Sequence, residues 1–409
     1  MTSRERILTV LRGDLPDRVP VWQWGVHPWL TGVHPSIQPV VDAFLARGDT
    51  IHWWSPGAAT FLTASDQLTV TGAQQPSELP DFDQHTATYH TPAGDLTEIT
   101  YASRTGKPGY RKKYLLETEA DVAKLLSVPY VPHRPDCAAF HAIDRELGDS
   151  GLPMVSLPAD PMYYVNNLIG SETFAYWSVD KRALVDDLIH EFARRIRDWT
   201  SWVISQGVGP LFGYVGPELC IPPLQSPRDF EQWVIGPNSE LHDLIHRAGG
   251  YVFVHCHGKV GYTPLSSAVD PPGRSPLPFE GRGAGGIGSR NEEPGPGGRK
   301  GILEGFVTMG TDALHPIEPP PMGDVTLPEA KARVGRDLTI VGNIQHHDLC
   351  TMPEDLFREM VAETMRVGKE GGRFILSPTA TPFGWPTMDD RTRSNHLAML
   401  EVGLQLGRY

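Results

Sequence analysis

The chain has 409 residues, about twice the length of a usual compact domain but within reach of one (β/α)8 barrel with insertions. Apolar residues make up 40% and charged residues 21%, with 10 Trp, 12 Tyr and 14 Phe, which excludes a disordered chain. Thirty-six basic against 49 acidic residues give a net charge of −13, so a DNA, RNA or anionic-lipid partner, which needs clustered Lys and Arg, is disfavoured and a small-molecule partner is expected.

The first ten residues carry charges but no apolar h-region, and no later stretch approaches twenty uninterrupted apolar residues. Both observations argue against export and membrane spanning. The first strand candidate, Arg18–Trp24, is followed by a helical pattern over Ser36–Ala46. Residues Thr88–Leu116 then alternate polar with apolar and aromatic side chains around Ala93-Gly94 and Gly106-Lys-Pro-Gly109, which reads as an antiparallel excursion able to cover a barrel mouth. After it, helical segments Glu119–Leu126, Leu184–Gln206, Asp229–His246, Glu329–Val334, Glu354–Val367 and Arg393–Leu406 interleave with strand candidates Pro153–Leu157, Gly209–Val215, Gly250–Val254, Thr311–Ile317, Leu338–Val341 and Arg373–Leu376. Repeated strand-then-helix units imply parallel strands with right-handed crossovers, and a closed α/β (β/α)8 TIM barrel in a single domain is the economical solution. Residues 271–300 hold nine Gly and six Pro with almost no apolar anchor, the composition of a flexible insertion loop rather than of a domain boundary. The GxGxxG within it, Gly281–Gly286, lacks a preceding strand and a following apolar helix, so it is not a dinucleotide site. Cys137, Cys220, Cys256 and Cys350 lie far apart without a CxxC pair, which suits a reducing cytoplasm and argues against a disulfide framework or zinc ribbon.

The residues able to carry chemistry cluster at the carboxyl ends of these strands. In Gly249-Gly-Tyr-Val-Phe-Val-His255-Cys256-His257-Gly258, strand alternation turns His255 and His257 to one face and Cys256 to the other, so the two imidazoles can converge on one metal where barrel enzymes build their sites. Glu218 follows the next-upstream strand, and His315 with Glu318 follows the next-downstream one. Both carboxylates suit metal ligation, orientation of a ligating His, or acid–base work, while Glu218 reads equally as a turn cap and His315 as a satisfied core group. Asn343 supplies an amide after Val341-Gly, and His346 and His347 beyond it read as a solvated helix start. Asp160, with Tyr163 and Tyr164, follows another strand, either as an acid or as a turn with packed rings. Trp22, Trp24, Trp29, Trp53 and Trp54 suit a core or a pocket wall, core being the usual role. No GxSxG elbow, Walker loop, HExxH helix or EF-hand loop is present.

Taken in order, these motifs resemble the uroporphyrinogen decarboxylase superfamily. The resemblance rests on Arg4-Glu-Arg-Ile-Leu8, Arg12-Gly-Asp-Leu-Pro-Asp-Arg18-Val-Pro-Val-Trp22, Gly216–Phe230, the His255–Gly258 strand end, Asp312–Glu318, Gly342-Asn343-Ile344, Gly371–Ser377 and Asn395, and spans nearly the whole chain outside 271–300. It implies a (β/α)8 barrel, often paired as a homodimer, and one of two chemistries: cofactor-free decarboxylation of a polycarboxylated tetrapyrrole, or zinc-dependent methyl transfer between a corrinoid and a thiol. The decarboxylases carry an Arg-rich stretch after the segment matching Pro20-Val-Trp22, whereas no Arg follows here until Arg47, which disfavours a substrate bearing many carboxylates. The methyltransferase branch binds zinc through an HxC strand end and a later Cys. Here His257 stands where the first thiolate would be, and Ser377-Pro-Thr379-Ala-Thr381 carries no Cys.

The resulting expectation is a metal-dependent, methyltransferase-like enzyme in which His255, His257 and Glu318 bind zinc or another divalent ion. Glu218 serves as acid, base or orienting group, with a corrinoid or corrinoid protein as methyl donor or acceptor. The first alternative is a lyase or hydrolase acting on a small carboxylated compound, with His255, His257 and His315 polarising the substrate and Glu218 or Asp160 moving the proton. The second is a catalytically inactive barrel that binds a cofactor.

Overall fold

The computed structural model describes residues 1–262, 301–381 and 387–409. The insertion expected at 271–300, with its GxGxxG, lies outside them.

Seven parallel strands form one curled sheet in the order β1 (Thr50–Trp54), β6 (Gly151–Ser156), β7 (Leu211–Val215), β8 (Tyr251–His255), β9 (Ala313–His315), β10 (Thr339–Ile344) and β11 (Phe374–Pro378). Helices run between successive strands, as the alternating sequence pattern predicts. Strand β1 is a segment that the sequence pattern does not single out. Conversely, Arg18–Trp24 is not a full strand: it touches the sheet through single parallel bridges, Val21 to Leu376 of β11 and Trp22 to Asp49 just before β1. The Trp22 amide donates to the Leu376 carbonyl and the Asp49 amide to the Val21 carbonyl, at 2.9 and 2.8 Å.

This joint is held by a buried charge cluster. Asp49, 3% exposed, accepts from the Arg6 guanidinium at 2.7 Å, the Arg18 guanidinium at 2.7 Å and the Val21 amide at 2.9 Å. Arg6 sits on the first helix, Ser3–Arg12, which a capping box of Thr2 and Glu5 starts and Gly13, in the left-handed region, ends. Ile7, Val10 and Leu11 of that helix pack on the inner face of the sheet with Trp22, Ile51, Leu152, Met154, Leu211, Phe253, Ala313, Val341 and Ile375. The outer faces of the same strands, Val155, Phe212, Val252, Val254 and Cys256 among them, join the much larger cluster under the surrounding helices. Two apolar layers on either side of one parallel sheet explain why its strands read as nearly continuous apolar runs.

The antiparallel excursion is real but longer than expected, beginning about twenty residues earlier than Thr88. It is a four-stranded sheet of β2 (Thr69–Pro76), β3 (Phe82–Thr91), β4 (Gly94–Ser103) and β5 (Tyr110–Lys113). Thr69–Pro76 has so few apolar residues that alternation does not mark it. Tyr89 stacks on Phe61, Arg111 reaches the Asn167 carbonyl and β4 packs on the helix Glu119–Leu126, so the sheet is moored to the helical layer. Among the described residues no helix is long and apolar enough to cross a membrane.

Candidate functional site

Side-chain alternation builds the site. The positions two residues beyond the apolar inner ring, on the same face and nearer the carboxyl ends, are Trp24, Trp53, His255, His315, Asn343 and Ser377. Register sets His255 beside His315 on β8 and β9, and Asn343 beside Ser377 on β10 and β11. The polar layer thus rests on an apolar floor at the end of the sheet where barrel enzymes place their chemistry.

His255 and His315 form a directed relay. The Nε2 atom of His315 lies 3.0 Å from the Pro378 carbonyl, and its Nδ1 lies 2.9 Å from Nδ1 of His255. A carbonyl only accepts, so His315 donates from Nε2 and is left as an acceptor at Nδ1. His255 must then donate from Nδ1 and presents a lone pair at Nε2. Both rings stay neutral: burial, then repulsion from His315 and His257, pushes His255 far below the usual imidazole range, and burial brings His315 down to about 3.

His257 is the opposite case. Its Nδ1 faces the Glu318 carboxylate at 3.2 Å, and the second Glu318 oxygen accepts from the Gly258 amide at 2.8 Å. Burial works against the charged ring, but the hydrogen bond and charge of Glu318, with the charge of Glu218, raise its pKa; His257 and the Gly258 amide in turn outweigh burial and lower that of Glu318. Gly258 has φ +90°, a conformation that favours glycine and aims this amide at the carboxylate. The rings of His255 and His257 meet edge to face at 4.5 Å between centroids, one shifted toward the neutral form and the other toward the charged form. Cys256 points away into the outer core, as alternation predicts.

Glu318 stands against the His257 ring and the Gly258 amide, and among the described residues no three His, Cys, Asp or Glu side chains are grouped to hold a metal ion. His315 is completely buried, so it positions His255 instead of touching a substrate. Asp160 is also removed from the mouth. It is fully buried, caps the helix Pro161–Ile169 through the Tyr163 amide at 2.9 Å and accepts from the Asn238 amide at 2.6 Å, while burial pushes its carboxyl up to about 7. Glu218, in the turn Pro217–Cys220, has one carboxylate oxygen buried without a hydrogen-bond partner, and burial raises its pKa against backbone hydrogen bonds within its own turn and the charge of His257. Asn343 is 8% exposed in the inward layer. His346 is not solvated as expected, because its Nδ1 is buried and its Nε2 lies 3.6 Å from the Cys350 sulfur.

The aromatic wall is the feature the sequence leaves undecided. Trp24 meets His255 edge-on at 4.6 Å and stacks on Trp53 at 5.5 Å, and both indoles are only partly buried, whereas Trp22 below them is core. The signal was available in the spacing, since Trp22 and Trp24, like Ile51 and Trp53, are two residues apart on one face. The arrangement brings together an acceptor nitrogen, an imidazole that Glu318 makes more basic, a carboxyl group with one partnerless oxygen and a flat apolar wall.

No protein-family model matches the chain, and no curated protein matches it. Among solved structures, a sugar phosphate isomerase/epimerase from Parabacteroides distasonis aligns over 62% of this chain and 84% of its own at 13% identity, with a TM-score of only 0.30. A methyltransferase from Methanosarcina mazei aligns over 99% of both chains at 14% identity with a TM-score of 0.56. The likeness shows that the chain has a methyltransferase-like α/β fold, compatible with a TIM barrel, from end to end.

Proposed function

We propose that the chain is a methyl-transfer enzyme with a (β/α)8 barrel, acting on a small molecule held at the carboxyl ends of the strands against Trp24 and Trp53. The bridges from Val21 to Leu376 of β11 and from Trp22 to Asp49, just before β1, support an eighth position that closes the ring. The observation that carries the reading is the pair of unlike imidazoles: His255, left with an acceptor at Nε2 by its hydrogen bond to His315, and His257, whose proton affinity Glu318 raises. An acceptor X–H donates its hydrogen to Nε2 of His255. As the methyl carbon bonds to X and its bond to the donor breaks, X–H becomes strongly acidic and the proton passes to Nε2. The electron pair left on the donor is stabilised by His257. The full-length likeness to a methyltransferase supports this assignment and supplies no residue roles. In place of the zinc that the family resemblance implies, the reading uses only the chain's own side chains, and the corrinoid of that resemblance is the methyl donor to try first.

The test incubates purified protein with a methylated corrinoid and a small thiol. The expected product is the thiol gaining CH2 by mass, lost with His255→Ala. Absence of transfer from this and other methyl donors overturns the reading. Decarboxylation is the second reading, favoured by Glu218, whose buried carboxyl group has one oxygen without a hydrogen-bond partner and is suited to protonate the carbon that loses CO2. Loss of CO2 from a carboxylated substrate, abolished by Glu218→Gln, identifies it.

A further inference from the structure

The antiparallel sheet carries a row of side chains whose atoms meet in an order used for nucleophilic catalysis. The hydroxyl of Thr71 on β2 lies 3.0 Å from Nε2 of His90 on β3, and Nδ1 of the same ring lies 2.8 Å from a carboxylate oxygen of Asp95 on β4. Register builds the row: His90 stands directly opposite Thr69 on one side and Asp95 on the other, and alternation returns Thr71 to the face of Thr69. A carboxylate only accepts, so the ring donates from Nδ1, and the neutral imidazole accepts from the Thr71 hydroxyl at Nε2. Hydroxyl, imidazole and carboxylate thus stand as nucleophile, base and orienting group, each joined at the atom its role requires.

The sheet edge supplies a fourth group. The Ser77 amide donates to the Phe82 carbonyl, in register with the Pro76–Asp83 pair, so odd-numbered residues of β2 bond to β3 and even-numbered ones turn their amides outward. Among the described residues β2 is the last strand of its sheet, which leaves the Gly72 amide, one peptide beyond Thr71, with no strand to donate to. The amide that follows a nucleophile is a donor to the oxyanion formed in acyl transfer. A side chain at Gly72 would meet nothing within 4 Å, and His90 and Asp95 are 41% and 59% exposed, so the row is open to an incoming molecule.

We propose that Thr71, His90 and Asp95 form a second reactive site, an acyl-transfer triad that hydrolyses small uncharged esters. Oγ1 of Thr71 bonds to the acyl carbon as its proton passes to Nε2 of His90, and the carbonyl oxygen, now negative, accepts from the Gly72 amide. When the carbonyl re-forms, the bond to the alcohol oxygen breaks and the alcohol leaves with the proton from His90. Water then attacks acyl-Thr71 with the same help from His90, which releases the acid and restores the hydroxyl. Asp95 touches no substrate and positions the ring. A secondary hydroxyl with one backbone donor suits activated esters rather than amides. Thr69, Ala73, Thr88 and Thr97 on the same face are short and uncharged, which favours a small neutral acyl group.

The experiment follows cleavage of p-nitrophenyl acetate by the full chain, with an acid quench and peptide mass spectrometry. The wild type is expected to release p-nitrophenolate with saturation and to carry an acetyl group on Thr71. Thr71→Val and His90→Ala are each expected to lower the rate at least about tenfold, whereas Thr71→Ser retains it. Gly72→Pro deletes the outward amide without touching the ladder to β3 and lowers the rate by less. Asp95→Asn slows acylation with an unchanged circular dichroism spectrum, and Asp95→Glu restores part of the loss. Cleavage no faster than in buffer overturns the proposal. So does an acetyl group found only on other residues, or a rate that Thr71→Val leaves intact, as direct attack by His90 would.

Discussion

The two ends of the parallel sheet handle charge differently. At the amino end Asp49 has three donors for its two oxygens and lies between two guanidinium groups, all but closed to solvent. At the carboxyl end Glu218 keeps a buried oxygen without a partner, His255 keeps a free lone pair, and His257 is held from one side only. A satisfied cluster does all its work on the fold, whereas an unsatisfied one retains interaction energy for a ligand. On the proposed function the amino end is architecture and the carboxyl end is chemistry.

The largest expected effects test that division. Asp49→Ala takes from Arg18 its carboxylate partner and leaves Arg6 paired with Asp17 alone, and is expected to cost about 3 kcal/mol of stability, read from denaturant unfolding, while Glu218→Gln leaves the midpoint unchanged or raises it. A tolerant Asp49→Ala would break the contrast. Next, His257→Ala is expected to slow methyl transfer at least ~100-fold while moving the melting temperature little, because the ring is partly exposed and its partner Glu318 retains the Gly258 amide.

A smaller effect appears with pH. His242, His315 and His396 are brought down to about 3 by burial, and His255 lower still. The unfolded chain therefore binds protons that the folded chain refuses, so their contribution is fully present above the ordinary imidazole pKa of about 6.5 and is lost progressively as pH falls below it. His396→Asn, which keeps a donor for the Gln23 carbonyl oxygen, is expected to flatten this acid limb by up to about 1.4 kcal/mol per pH unit. An unaltered slope means that the His396 ring takes up its proton alike in the folded and the unfolded chain. The smallest effect belongs to Cys256→Ala: the thiol lies in the outer core, so stability drops by about 1 kcal/mol and the transfer rate stays the same. A large loss of rate would show that the two faces of β8 are not separate.

Local pattern made much of this legible. Alternation along Tyr251–His257 set His255 and His257 apart from Cys256, and helical spacing located Glu119–Leu126 to the residue. What stayed hidden depends on neighbours distant in sequence. The His255–His315 contact joins strands 60 residues apart, and the same separation divides Gly258 from Glu318. Nothing local says that Glu318 turns toward His257 or that Asp160 is consumed by Asn238. Strand β1 was missed because five residues between Gly48-Asp49 and Ser55-Pro56-Gly57 are too few to show a period, and its strand character comes from pairing with β6.

The first helix has one more consequence. With Ile7, Val10 and Leu11 corking the interior from below, the described residues close the amino end of the sheet to reactants. Donor and acceptor cannot pass through the molecule from opposite sides. They either crowd the opening together or take turns, the first product backing out before the second reactant moves in, and steady-state kinetics with two varied substrates tells these sequences apart.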